Sequence, residues 1–278
     1  MIYYTLNDGN KVPALGMGTY KITERKDMEE AIEAAFENGY EYFDTAAFYE
    51  NEDILGLALK NAPAKREDIK IATKVWPSMF GKDLTRQSIE NSLKALQTDY
   101  IDVIHLHWYG KYFDEAWEVF KDYKRQEIVK SIAVCNFNQE QMEELLKLGE
   151  KPAMDQLESH PHLQQADLVQ YLKENKINHQ AWSPIARGKS DLLDEEILKD
   201  LAKKYGKSPA QIALRWNIER GTMVIPKSVH KSRVKENISV FDFEISPEDM
   251  ELIKKLDQDK SYSNRPGDQA WLDEIGRK

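Results

Sequence analysis

The chain has 278 residues, 41% hydrophobic and 31% charged, and its 39 basic against 48 acidic residues leave a net charge of -9. That composition excludes a disordered chain, and the acidic balance opposes general nucleic-acid binding. A lone cysteine, Cys135, excludes an intrachain disulfide framework and a four-cysteine zinc site. No apolar stretch reaches the roughly 18 residues of a membrane helix. The N-terminal MIYYTLNDGNK shows no basic region followed by an apolar run, so neither a signal peptide nor a membrane partner is expected, and the cytoplasm is.

The first segment places Asp8-Gly9 between β-prone residues and predicts a hairpin plugging the N-terminal end of a barrel. Short β-rich runs follow at 14–20, 41–47, 69–76, 101–108, 129–137, 152–160, 178–185 and 223–229. They are nearly continuous in apolar residues, as strands buried on both faces are. Amphipathic stretches lie between them. Met28, Ile32, Ala35 and Phe36 share a helix face that Asn38-Gly39 terminates. Thr85 is placed to cap a helix carrying Ile89, Leu93 and Leu96. Asn138 with Gln141 reads as a capping box. Ser208, Pro209 and Gln211 combine cap, first-turn proline and box, with Gly221 past the helix end. Ser246-Pro247 opens another helix bearing Met250, Ile253 and Leu256.

Eight strand–helix alternations predict an α/β fold, a closed (β/α)8 TIM barrel forming one domain over residues 1–278. A doubly wound sheet would carry a glycine fingerprint after its first strand. Here Gly16-Met17-Gly18 is followed by Thr19, Tyr20 and Lys21, and the third glycine is missing.

Barrel active sites lie at the C-terminal strand ends. Read in order, those ends offer Asp44 with Tyr49 in the following loop, Lys74, His107-Trp108, Asn136, Gln156, Trp182-Ser183 and Lys227-Ser228. A tyrosine holds its proton at neutral pH and can donate it. A nearby lysine stabilises the phenolate left behind, an aspartate supplies the counter-charge, and a neutral histidine can orient a carbonyl oxygen. After the eighth run, Lys227, Ser228, Lys231, Arg233 and Lys235 gather on an otherwise acidic chain. In barrels this region commonly builds a phosphate site beside a helix N-terminus.

DTAAFYENE (44–52) resembles the aldo-keto reductase signature Asp-Thr-Ala-x-x-Tyr-x-Asn-Glu. ATK (72–74), DVIHLHW (102–108), NF (136–137), WSP (182–184) and IPKSVHKSRVKENI (225–238) fall in that family's order, over essentially the whole chain. The short loops and AWSPIARGK are similar to the bacterial branch that includes 2,5-diketo-gluconate and glyoxal reductases. The resemblance implies NADPH-dependent reduction of small aldehydes, ketones or α-dicarbonyls, and a monomer is the working hypothesis. Its tetrad is Asp44, Tyr49, Lys74 and His107, with Tyr49 as general acid and no metal.

The resemblance also implies where NADPH would lie. Lys227, Ser228 and Arg233 would hold the adenosine 2′-phosphate, with Glu236 and Asn237 at the adenine. Asn136 and Gln156 would meet the carboxamide, and Trp182 would lie under the ring. Gly18, Thr19, Asp44, Ser183, Ile185 and Val229 are further cofactor positions. Tyr20, Phe48, Trp76, His107 and Trp108 would line the substrate pocket. Three departures stand out: Trp182 replaces the commoner tyrosine, Cys135 replaces the usual serine, and Trp108-Tyr109-Gly110 replaces Trp-Pro-Gly. Trp271 lies in a tail that either folds over the mouth or anchors the terminus.

Three other readings compete. A metal hydrolase would use the His105/His107 pair, the His160/His162 pair and Asp44, but it leaves the basic loop after the eighth run unexplained. It leads to reading His105 as a packed interior residue and His162 as a loop residue. A Schiff-base aldolase built on Lys74 is disfavoured because Asp44 should keep the amine charged. A non-catalytic cofactor-binding subunit has no need of a complete tetrad.

Overall fold

The computed structural model describes residues 1–188 and 191–276. The hairpin forms as expected: β1 (Tyr3–Thr5) pairs antiparallel with β2 (Lys11–Pro13), Tyr3 opposite Pro13. Its turn needs Gly9, whose φ of 90° suits a residue without Cβ, and Asp8 Oδ1 accepts from the Asn10 amide at 3.1 Å. Eight parallel strands follow: β3 (Met17–Gly18), β4 (Tyr42–Asp44), β5 (Lys70–Val75), β6 (Ile101–Leu106), β7 (Val129–Cys135), β8 (Met154–Glu158), β9 (Asn178–Trp182) and β10 (Met223–Val224). Each bonds to the next in chain order. A parallel bridge between Leu15 and Val224 closes the circle, with Gly16 N donating to Val224 O at 2.9 Å and Gly18 N to Pro226 O at 3.1 Å. A side chain at Gly16 would collide with the Tyr42 ring, so closure there needs glycine.

The first and last barrel strands are only two residues long, well short of the apolar runs at 14–20 and 223–229. Past Gly18 and Val224 the chain leaves the sheet to build the mouth, and Pro226 has no amide to offer a ladder.

Around the barrel run α1 (Arg25–Glu37), α2 (Glu52–Lys60), α3 (Lys82–Ala95), α4 (Phe113–Arg125), α5 (Gln139–Leu146), α6 (Ala166–Glu174), α7 (Glu196–Tyr205), α8 (Pro209–Glu219), α9 (Lys231–Ile238), α10 (Pro247–Lys254) and α11 (Gln269–Ile275). The expected capping boxes at Asn138 and Ser208 are both complete, and Ser246 accepts from the Asp249 amide. Thr85 is a correction. The helix starts a turn earlier, behind Gly81, so Thr85 lies within α3 and its hydroxyl donates to Met79 O at 3.0 Å. Among the described residues no helix is long and apolar enough to cross a membrane.

The barrel interior is layered. At the bottom, Leu6 and Val12 of the hairpin pack against Tyr42, Ala72, Val103, Ala133, Met154 and Met223. Asn7 and Asn10 side chains donate to Pro152 O and Lys130 O, at 2.7 and 3.1 Å, pinning the plug to the strand starts. Above that apolar layer the inward positions turn polar: Asp44, Lys74, His105, Gln156 and Gln180, all buried.

Candidate active site

The residues of the DTAAFYENE run divide the work of building one corner of the mouth. Asp44 ends β4 pointing inward, and Lys74 Nζ lies 2.6 Å from its Oδ1 and donates to Thr45 O at 2.7 Å. Thr45 Oγ1 donates to Asn51 Oδ1, and Asn51 Nδ2 donates to Thr19 O and Ile22 O. Glu52, buried at the start of α2, accepts from Thr73 Oγ1 at 2.5 Å and Ser92 Oγ at 2.9 Å. Between these anchors the chain makes one 3-10 turn, Ala47–Tyr49, and reverses through left-handed Glu50. Tyr49 is thereby presented over the ion pair, its ring centre 5.1 Å from Lys74 Nζ.

Burial sets the protonation states. Desolvation pushes the Tyr49 phenol above its ordinary value, and the Lys74 charge opposes that rise. For Lys74, burial works against the ammonium, but the Asp44 carboxylate more than offsets it and holds the amine charged. Burial likewise pushes Asp44 up, while the Lys74 charge and hydrogen bonds from Lys74 and Gln156 pull it back. His107 faces Tyr49 across 5.8 Å between ring centres. Burial, then the Lys74 charge, pushes it well below the usual imidazole range, so it is neutral. His105 lies one layer deeper, is pushed down to about 3 by the same two causes, and contacts Thr73 O through Nδ1 at 3.3 Å. It is the packed interior residue expected of it.

On the opposite rim Asn136 takes left-handed backbone at the end of β7. Its Nδ2 donates to His107 O at 3.2 Å and Cys135 Sγ at 3.0 Å, and its Oδ1 accepts from Trp182 Nε1 at 2.9 Å. Gln156 Nε2 donates to Asp44 Oδ2 at 2.8 Å. Ser183 continues the rim, also left-handed, with Ile185 half-buried beside it. Gly18 and Thr19 complete the circle, Thr19 donating to Asp44 O through both its amide and its hydroxyl.

Aromatic rings wall the opening. Phe48 stacks on Trp76 at 3.8 Å, Trp76 meets His107 edge-on at 4.9 Å, and Tyr20 leans on Tyr49 at 4.9 Å. Trp108 is covered by Trp271, 4.3 Å between ring centres, and with Leu272 and Ile275 this packs α11 against the wall. Of the two readings the sequence left open, these contacts show the anchor: α11 fastens the terminus to the aromatic wall.

Before α11, residues 259–266 close one side of a small open cleft lined also by Asn136, Glu158 and Trp182. Glu158 ties that segment down, accepting from Ser261 Oγ at 2.5 Å and the Tyr262 amide at 3.1 Å. His160 and His162 serve the same junction: His160 contacts Glu158 at 3.3 Å, and His162 contacts Tyr262 and Glu195 at 3.1 and 2.8 Å. Among the described residues no three His, Cys, Asp or Glu side chains group as a metal site requires.

The basic cluster surrounds the start of α9, whose N-cap, His230, offers no side-chain cap. Ser228 Oγ accepts from the His230 amide at 3.0 Å, and Val229 packs on the core. Lys231 is paired with Glu33 at 2.5 Å, whereas Lys227 and Arg233 have no ion-pair partner within 4.0 Å among the described residues. Glu236 is engaged by the Ser208 hydroxyl, which fastens α9 to α8, and Asn237 is buried behind it. Sequence reasoning passed over Tyr42, Glu158 and Gln180. Gln180 precedes Trp182 by two residues on one strand, so the period of two places both side chains inward.

A closed parallel barrel with a buried Asp–Lys pair, a phenol and a neutral imidazole at its C-terminal mouth defines a class of barrel oxidoreductase. The aldo/keto reductase family model matches residues 14–258, and the chain belongs to that family. It is 41% identical over 265 residues to a methylglyoxal reductase of Escherichia coli, covering 94% of this chain and 95% of that one. It is 39% identical over 263 residues to a glyoxal reductase of Bacillus subtilis, with 94% and 95% covered. An aldo-keto reductase from a deep-sea metagenome library superposes with TM-score 0.92 at 35% identity, covering 96% of this chain and 99% of that one. An aldo/keto reductase from Brucella melitensis gives 0.88 at 41%, covering 92% and 99%.

Proposed function

We propose that this protein is an NADPH-dependent reductase that converts small aldehydes, ketones and α-dicarbonyls to alcohols, with Tyr49 as the proton donor. The observation that carries the reading is the Tyr49 phenol set over the buried Asp44–Lys74 pair, with neutral His107 across from it. Burial makes Tyr49 keep its proton in the resting protein, and Lys74 lowers the cost of giving it up. Asp44 keeps Lys74 charged, and His107, being neutral, can hydrogen-bond a carbonyl oxygen without competing for the proton.

The donor set fits a phosphorylated dinucleotide. An uncapped helix start with Lys227 and Arg233 free of carboxylates suits a phosphate, and Ser228 adds a hydroxyl. In this reading those three hold the 2′-phosphate, Glu236 and Asn237 border the adenine, Gly18, Thr19, Ser183, Ile185 and Val229 line the path between, and Trp182 stacks under the nicotinamide. Asn136 and Gln156 meet its carboxamide. When bound, the reduced cofactor supplies hydride to the carbonyl carbon. Tyr20, Phe48, Trp76 and Trp108 confine the substrate, an aromatic wall that suits flat carbonyl compounds such as the methylglyoxal and glyoxal named for the relatives. All these groups belong to one chain, which supports a monomer as the active unit; the cytoplasm is the proposed compartment.

NADPH oxidation followed by near-ultraviolet absorbance tests this, with methylglyoxal, an aromatic aldehyde and a keto-sugar acid as substrates. Turnover with at least one is expected. Tyr49→Phe should lower turnover by about 10²- to 10⁴-fold while tryptophan quenching by NADPH is unchanged; wild-type turnover in that variant rejects Tyr49 as the acid. Lys227→Ala or Arg233→Ala should weaken NADPH more than NADH, and equal losses would remove the phosphate assignment.

A further inference from the structure

Beneath the rim a chain of hydrogen bonds crosses the barrel interior. Its direction is set at one end by the Asp44 carboxylate, which pairs with Lys74 through Oδ1 and can only accept. Gln156 must therefore turn its amide nitrogen toward Asp44 Oδ2, 2.8 Å away. The same nitrogen reaches Gln180 Oε1 at 2.7 Å. Gln180 in turn presents its own nitrogen to the Tyr42 hydroxyl at 3.2 Å. Gln156 and Gln180 are directly opposite in register on β8 and β9, and both are buried, as is Tyr42. Both amide hydrogens of Gln156 are thus engaged below the rim. What remains is its carbonyl oxygen, 3.6 Å from Cys135 Sγ, and a thiol is too weak a donor to satisfy it.

We propose that Gln180, oriented by Tyr42, is a positioning residue for Gln156. By taking the amide hydrogen that Asp44 does not, it makes Gln156 a pure acceptor, which receives the NH2 of the nicotinamide carboxamide. This rests on the reading above that Gln156 meets that carboxamide. Without Gln180, an amide hydrogen of Gln156 is left unpaired in the barrel interior, and the side chain rotates to recover a partner. The acceptor then leaves its place. The consequence is confined to one contact of the cofactor, so binding suffers selectively.

The test compares cofactor dissociation constants, read by tryptophan quenching, for NADPH and for the 3-acetylpyridine analogue of the phosphorylated dinucleotide. The analogue has a methyl ketone where NADPH has the carboxamide, so it has no N–H to give. Gln180→Leu should weaken NADPH by about tenfold, the scale of one unmade hydrogen bond, and leave the analogue unchanged. Gln180→Glu, protonated in that interior, should restore NADPH binding. Equal loss of both cofactors, or no loss of either, overturns the proposal while leaving the reductase reading standing. Failure of the wild-type protein to bind NADPH overturns both. Should Gln180→Leu not fold, Tyr42→Phe makes the same comparison: loss confined to NADPH supports the proposal, and any other pattern rejects it.

Discussion

At the bottom of the barrel Gln97, Glu127 and Lys176 adopt left-handed backbone one residue past the C-caps of α3, α4 and α6, and at the mouth Asn136 and Ser183 do so directly after β7 and β9, with Ala186 and Arg187 close behind. The three bottom residues are exposed and make the same pair of bonds. Gln97 N reaches Lys94 O and Thr98 N reaches Leu93 O, and the same spacing recurs at Glu127 and Lys176. That is the ordinary helix stop, where any side chain is tolerated at a small cost. Asn136, in contrast, is buried, and every polar atom of its side chain is engaged with His107, Cys135 or Trp182. The same backbone conformation ends a helix at one end of the barrel and holds a buried, fully hydrogen-bonded side chain at the rim of the other.

Charge divides the same way. Asp102, at the bottom, is satisfied by Arg66 at 2.7 Å, Lys70 at 3.1 Å and the Ile71 amide at 3.0 Å. At the mouth, His107 Nδ1 and Trp76 Nε1 are buried with no hydrogen-bond partner among the described residues, and so is His105 Nε2 one layer below. Below, carboxylates are met by opposite charges, Asp8 by Lys124 at 3.5 Å as Asp102 is by Arg66 and Lys70, whereas these ring nitrogens near the mouth are met by nothing of the kind among the described residues.

Lys74→Met should have the largest effect. It leaves the Asp44 carboxylate buried and unpaired, so a loss of about 3–5 kcal/mol in urea unfolding is expected, together with loss of turnover. Leu6→Ala, in the bottom plug, should cost about 2–4 kcal/mol yet leave turnover per folded molecule unchanged; a turnover defect there would erase the contrast.

Stability against pH probes both ends at once. His105, under the site, and His179, on the barrel's outer wall, are each pushed down to about 3 by burial. Both stay neutral in the folded chain while the unfolded chain protonates them below pH of about 6.5. Each therefore contributes stability that is lost as pH falls from there toward 3. Asp155, pushed up by burial, works in the opposite direction over the acidic range. Replacing His179 by Gln should flatten the acid slope by up to about 1.4 kcal/mol per pH unit, read from urea titrations between pH 6 and 4 and compared with the wild type; an unchanged slope would contradict a neutral buried His179.

The smallest effect is expected from glycine at Gln97, Glu127 or Lys176. Each should raise stability by up to about 1 kcal/mol without touching turnover. Asn136→Gly keeps the same backbone but should weaken cofactor binding, measured by the same fluorescence quenching.

Much of the fold was legible because barrel strands are buried on both faces and helix ends are marked by local chemistry. The apolar runs, the hairpin turn at Asp8-Gly9 and the boxes at Asn138 and Ser208 each declare themselves within a few residues. Strand ends were less so: Gly18 and Val224 leave the sheet early because the closing partners, not local preference, decide where a ladder stops. Thr85 misled for a related reason, since Gly81 starts the helix and the Thr85 hydroxyl found Met79 instead.

For the site, residue type and strand-end position were enough to nominate Asp44, Tyr49, Lys74 and His107. They were not enough to find Gln180 and Tyr42, which lie 138 positions apart and meet only across the closed barrel. By itself the sequence determined the alternation of elements, the caps at Asn138, Ser208 and Ser246 and the chemical identity of the rim, all of which are local properties of the chain. Tertiary structure decided which charges meet, which protons are held and which amide hydrogens are occupied. Those depend on burial and on distances between residues far apart in sequence, and neither exists until the barrel closes.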